Sequence, residues 1–255
     1  MRQVPQNLNE PIIVGKGKLA KHLAHYFVFK NIRFSTWHRP PSSATNESSN
    51  GYPELIKSIK PNSTVLLAIS DDALVEVIEE IRKQSNCEIV HFSGSLYFKD
   101  AIGAHPLMTF GNDLYQKEFY ETIPFVIDQK GRQLLDFLPG LENPSHFISP
   151  ELKSLYHSYC VMSCNFPMLL WQAAFKNFEK QLGLPKPLLF PILKKSLENS
   201  LGNIEIALTG PLVRQDKTVL RKNLAALKKS PEEKLFQSFI EYFQAIQSQN
   251  KQEAL

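Results

Sequence analysis

The 255-residue sequence has only three cysteines, an odd number that makes no disulfide framework and fits a reducing, cytoplasmic compartment. Cys160 and Cys164 stand four apart, a spacing that reads as small packing residues rather than a redox pair. Long apolar runs are missing too. The richest stretch, residues 161–175, is broken by Ser163, Asn165, Pro167 and Gln172, far short of the ~18 apolar residues of a membrane span. The first ten residues, MRQVPQNLNE, lack the apolar centre of a secretory signal. No charge of one sign prevails: 29 basic and 25 acidic residues leave a net +4. The basic pairs Lys194-Lys195, Arg221-Lys222 and Lys228-Lys229 read as solvated helix faces, not as a nucleic-acid surface. Internal repeats are absent. What remains, at 43% apolar and 21% charged, is the composition of a soluble globular chain long enough for two compact units. A small-molecule partner is expected, with neither membrane nor nucleic acid.

The first half alternates short apolar runs with amphipathic stretches. Ile12–Val14 leads into Gly15 and Gly17, after which Leu19, Leu23, Tyr26 and Phe27 recur at helical spacing. Ile32–Trp37 predicts a second strand. A polar stretch, PPSSATNESSNG, precedes a short helix at Tyr52–Ile59 that Pro61 stops. Thr64–Ile69, TVLLAI, has the continuous apolar character of a strand buried on both faces. Ser70 is a candidate N-cap for the next helix, with Asp71 and Asp72 in its first turn and Leu74, Val75, Ile78 and Ile81 as its apolar face. Glu88–Phe92, Ile102–His105 and Ile123–Ile127 complete the strand candidates. This pace predicts βαβ units: an α/β fold with a doubly wound, mostly parallel Rossmann sheet.

Beyond Pro150 no strand pattern remains. Residues 151–182 read as one long helix, or two with a kink near Pro167. Pro185, Pro187 and Pro191 mark a break. Helices follow near Ile192–Leu201, Asp216–Leu227 with Asp216 as N-cap, and Pro231–Gln247, before a tail, SQNKQEAL, that reads as frayed. The expected division is a dinucleotide-binding domain over residues 1–149 and an all-α domain over 150–255.

The glycine pair raises the chemistry. In a dinucleotide-binding turn the first glycine permits the bend, the second lets backbone approach a pyrophosphate, and a small third residue lets helix pack on sheet. Gly15, Gly17 and Ala20 fit those positions, and Lys16 and Lys18 add positive charge. A site for NAD carries Asp or Glu at the end of the second strand; here the chain reads Ser35-Thr36-Trp37-His38-Arg39. A cation at Arg39 suits the 2′-phosphate of NADP better than NAD. The other readings are a surface arginine and a nucleotide-free version of the fold. Ser70 and Asp71 after the third strand, His91-Phe92-Ser93-Gly94 after the fourth and His105-Pro106 after the fifth all stand at strand ends, where such sheets bind ligands. His157 and Asn165 would share one face of a continuous helix, either as satisfied core groups or as groups facing a ligand. No histidine, cysteine or carboxylate spacing supports a metal site.

The strings IIVGKGKLAKHL, STWHR, TVLLAISDDAL, IVHFSG, AHPLMTF, LYHSYCVMSCN and EIALTGPLVRQDKTVLRKNLAAL together resemble a family of uncharacterised bacterial proteins. These have a Rossmann-like N-terminal domain and a helical C-terminal domain, and are related to ketopantoate reductase and pyrroline-5-carboxylate reductase. The resemblance implies an NADP-dependent oxidoreductase acting on a small carbonyl or imine substrate between its domains. It implies cofactor contacts at Gly15, Gly17, Ala20 and Arg39; the residues around them add Lys16, Lys18, His38, Ser70 and Asp71 as cofactor-binding candidates. Ser93, His105, His157, Asn165 and the Thr209-Gly210-Pro211 turn would line the cleft, with His157 or His105 as general acid. It also implies a homodimer through the helical domain. Two departures are visible: the Gly94–His105 segment is shorter than expected for the family, and Gln215 stands where glycine usually precedes Asp216. The alternative is a chain that keeps the fold and the nucleotide but has lost the reaction.

Overall fold

The computed structural model describes residues 10–39, 52–60 and 62–253. The stretch PPSSATNESSNG, the Pro61 stop and the start of the chain lie outside the described residues, as do the last two residues of the tail. The chain divides into two compact units, Met1–Leu170 and Trp171–Leu255.

The first unit is built on β1 (Ile12–Val14), β2 (Ser35–Trp37), β3 (Thr64–Leu67), β4 (Glu88–His91), β5 (Ile102–Pro106), β6 (Phe125–Ile127) and β7 (Ser145–Phe147). They form one seven-stranded sheet in the order β2-β1-β3-β4-β5-β6-β7. The first five strands run parallel; β6 is antiparallel to β5, and β7 is parallel to β6. The strand order reverses between β1 and β3, so the chain leaves these two neighbours in opposite lateral directions. Their carboxyl ends open a crevice.

Register explains why the sheet is buried on both faces. Ile13 pairs with Leu66 and Leu66 with Val90, and all three belong to one core cluster. Ile12, Val14, Val65, Leu67 and Ile89 point the other way into a second cluster. Helix α1 (Lys18–Phe29) covers the first face with Ala20, Leu23, Tyr26 and Phe27, joined by Tyr120 of α4 (Lys117–Thr122). Helices α2 (Tyr52–Ser58) and α3 (Asp71–Arg82) cover the second. The doubly wound, mostly parallel fold is therefore as expected.

Local departures have local causes. Strand β2 begins at Ser35, not Ile32, because α1 closes with Asn31 in the left-handed region (φ 53°) and Ile32 N–H bonds back to the Phe27 carbonyl at 2.9 Å. On α3 the buried residues are Leu74, Val77, Ile78 and Ile81; Val75 is exposed. Ser70 takes the N-cap position without a side-chain capping bond. The expected kink near Pro167 is a π-helical turn, Val161–Asn165, between α5 (Lys153–Cys160) and α6 (Phe166–Lys180). Proline lacks the N–H that would bond four residues back, and the wider turn accommodates the loss.

The second unit holds α7 (Phe190–Gly202), α8 (Ile204–Ala207), α9 (Lys217–Ala226) and α10 (Pro231–Glu253). Asp216 caps α9 by accepting from Val219 N–H at 3.1 Å, as its sequence position predicts. Gln215 just before it sits at φ 55°, a conformation that glycine adopts without cost. Helix α10 runs on to Glu253, through the expected frayed tail. No described residue beyond Lys153 is buried. Among the described residues no helix is long and apolar enough to cross a membrane.

The turn after β1 depends on one close approach. Gly15 has φ 132°, and a Cβ there would overlap the Ala68 carbonyl oxygen at the end of β3. Gly15→Ala is expected to lower stability by about 3 kcal/mol, read as a lower midpoint in urea unfolding; an unchanged midpoint would show that the turn relaxes freely.

Candidate functional site

A cleft of about 670 Å³ opens at the carboxyl ends of β1, β2 and β3. Gly15, Lys16, Gly17, Lys18, His38, Arg39 and Ser70 line it, together with Tyr52, Asp72 and Glu76, which sequence reasoning did not mark as site residues. The topology brings these groups together: the β1–α1 turn, the end of β2 and the first turns of α3 meet where the strand order reverses.

Gly17 and Gly15 differ in what demands a glycine. Gly17 is the N-cap of α1 with φ −71°, which any residue adopts, and a Cβ there would meet nothing within 4 Å. Nothing inside the protein requires glycine at 17; a ligand brought close to the backbone would. The N–H groups of the first helical turn have no intrahelical partners and carry the positive end of the helix dipole. The first turn of α1 contains no acidic residue to offset it, whereas α3 carries Asp71 and Asp72. An anion entering this cleft is therefore drawn to α1. Ala20, the third position of the glycine pattern, is buried in the core against the sheet, as a small packing residue must be.

Asp71 turns away from the cleft. Its Oδ2 accepts from the Ser93 hydroxyl at 2.8 Å and from Ser95 at 3.4 Å. The Ser93 oxygen in turn accepts backbone N–H bonds from Ser95 at 3.3 Å and Leu96 at 3.0 Å, so it is fully engaged within the protein.

Beside this contact lies a second group of polar side chains. His105 Nδ1 is 2.7 Å from the Tyr156 hydroxyl, and its ring meets that of His157 edge-on at 5.8 Å between centroids. Both histidines pack over Gly94, where a Cβ would collide with His157. Asn165 lies on the π-helical turn, exposed, so the continuous-helix spacing that paired it with His157 does not hold.

Deeper still, Lys153 Nζ and Asp128 Oδ2 form an ion pair at 2.7 Å, with both side chains almost fully buried. Asp128 Oδ1 accepts the Gly103 N–H at 2.8 Å, and any Cβ at residue 103 would strike both charged groups. His91, opposite Gly103 in the β4–β5 pairing, is fully buried against Phe98 with neither ring nitrogen hydrogen-bonded. Burial, aided by the Lys153 charge, pushes His91 down to about 3. Burial, then His157 and Lys153, push His105 down to about 4. Burial lowers Lys153 as well, against the pull of Asp128. Sequence reading missed Lys153, Asp128 and Tyr156; the available signal was Gly103, a glycine inside a strand, where close approach is the usual reason.

Among the described residues no group of three or more His, Cys, Asp or Glu side chains could hold a metal ion.

Residues 124–242 match a family model. Its description is Domain of unknown function (DUF2520). A search of curated proteins finds no match. Several solved structures share the fold. BF3122 of Bacteroides fragilis, which carries the name of an NADP oxidoreductase, is 20% identical with TM-score 0.71, over 92% of this chain and 98% of that one. TM1727 of Thermotoga maritima is 20% identical with TM-score 0.63, over 94% and 99%. Pyrroline carboxylate reductase of Plasmodium falciparum, solved with NADP bound, is 15% identical with TM-score 0.51, over 92% and 96%. These likenesses agree with the resemblance read from the sequence.

The two depressed histidines set a pH dependence. Each takes a proton near pH 6.5 when unfolded but only near pH 3 to 4 when folded. Stability is therefore full above pH 6.5 and falls as pH drops from 6.5 toward 4, by on the order of 1–2 kcal/mol per histidine at pH 5. Urea midpoints at pH 7 and pH 5 check this, and His91→Phe should remove its share; a flat profile would contradict the burial of both rings.

Proposed function

We propose that the chain is a nicotinamide-dinucleotide-dependent oxidoreductase of NADP type. The observation that carries this reading is Gly17: a position with ordinary backbone and open space for a side chain, at an uncompensated helix N-terminus facing a cleft. That combination serves a pyrophosphate approaching the backbone. The first N–H groups of α1 would hold it, with Lys16 and Lys18 adding charge. Arg39 and His38, at the end of β2, would meet the adenosine end, where the 2′-phosphate of NADP differs from NAD. The names of the structural neighbours, one solved with NADP bound, point the same way.

When bound, the nicotinamide supplies or accepts hydride; the chain supplies binding, orientation and a proton. His157 is the better proton donor of the two candidates. His105, held near 4, is neutral at working pH, and its Nδ1 is engaged with Tyr156, so it orients its neighbour. Asn165 is left to hydrogen-bond a small carbonyl or imine substrate, while Asp71 and Ser93 hold the loop together. Ser70 and Asp72, next to Asp71 on the first turn of α3, face the cleft, so both groups of residues share one helix end.

A homodimer through the helical part belongs to the same reading. Leu201, Ile204 and Ile206 are 80%, 70% and 76% exposed in a stretch with no buried residue, an apolar surface that a second copy would cover.

Two measurements follow. Titration by nucleotide fluorescence should give saturable NADPH binding. Gly17→Val should abolish it while lowering the thermal midpoint by only a few degrees, the cost of a poorer N-cap residue; undisturbed binding in that variant, or none in the parent chain, would overturn the reading. Light scattering at micromolar concentration should return twice the 29.1 kDa chain mass, and a monomer would exclude the dimer.

A further inference from the structure

The end of β2 lacks a carboxylate in sequence, but the fold brings one there from α3. Glu76 Oε2 lies 3.7 Å from Arg39 Nη2. The Arg39 guanidinium stands over the Tyr52 ring, 4.8 Å from its centroid, and donates to the Tyr52 hydroxyl. That hydroxyl, whose pKa burial pushes further up, also bonds Glu76. All three line the same cleft. Tyr52 is buried on α2 and fixes the arrangement, while the Arg39 and Glu76 side chains are 52% and 47% exposed and within reach of a ligand.

We propose that Glu76 is the specificity-determining residue that limits how strongly this cleft prefers a 2′-phosphorylated dinucleotide. The inference rests on the dinucleotide reading of the cleft. A guanidinium offers its donors in a fixed fork, and here part of that fork is turned to Tyr52 and Glu76. A phosphate dianion must draw Arg39 from its internal partner and then lies at short range from the Glu76 charge. A ribose 2′-hydroxyl meets neither obstacle, and it can donate to the carboxylate. Arg39 thus favours the phosphate and Glu76 favours the hydroxyl, with Tyr52 holding the cation between them in either case. The net preference is set by the pair, not by Arg39 alone.

The test uses the full chain and four ligands: NADPH, NADH, adenosine 2′,5′-bisphosphate and 5′-AMP, titrated by calorimetry. Glu76→Gln keeps the shape and removes the charge. It should tighten NADPH and the bisphosphate by about threefold or more, leave NADH and 5′-AMP unchanged or weaker, and show a smaller gain at high salt. Adding Arg39→Ala to that variant should erase the gain. An unchanged NADPH-to-NADH affinity ratio, equal tightening of both, or a gain that survives the loss of Arg39 overturns the inference and leaves the dinucleotide reading standing. Failure of the parent chain to bind any of the four overturns both.

Discussion

The first unit is organised around a charge pair that never meets water. Removing an ammonium and a carboxylate from solvent costs several kcal/mol per ion, and only close geometry with further hydrogen bonds recovers it. Lys153 and Asp128 meet that requirement: the ion pair takes one carboxylate oxygen and a strand N–H takes the other. The pair joins the first residue of α5 to the chain just past β6, across β5. Tyr156 and His157 lie within one helical turn of Lys153, so the place of the histidine cluster follows from where this lysine is anchored. Burial above all, with the same positive charge adding to it, disfavours protonation of His91 and His105, so both rings stay neutral beside the buried pair.

The cleft divides its electrostatics between two helix ends. The start of α1 is left positive, with lysines on either side of Gly17 and no acid in its first turn. The start of α3 carries two aspartates, one facing the cleft and one committed to Ser93. An anion is sorted to one side before any contact is made. The Arg39 side of the cleft works differently, by a cation whose neighbours are an aromatic ring and a carboxylate.

Much of this was legible in the residues. Apolar runs such as TVLLAI marked central strands because a sheet covered on both faces has no polar side, and the β1 turn was marked by Gly15 and Gly17. The limits were also physical. Strand β7 and helix α4 are short and carry no periodicity long enough to read. The start of β2 depended on how α1 ends, which a left-handed asparagine decided. The π-helical turn before Pro167 upset an inference that assumed 3.6 residues per turn. Glu76 and Lys153 were invisible as site residues because each reaches its partner from a distant element. A lysine or glutamate on a helix reads as a solvated residue until topology shows what it faces.

The histidine cluster and the ion pair each stand against a glycine, Gly94 and Gly103, whose missing side chain is the space the polar group fills. Both positions add nothing to any inventory of chemical groups, yet almost any replacement would evict its neighbour. Evolution within this fold therefore faces a ratchet. Losing either polar group leaves a hole that a larger residue at 94 or 103 can fill, and once filled, the lost histidine or lysine cannot return by a single step. A related chain that carries a side chain at 103 is expected to have abandoned the buried charge altogether.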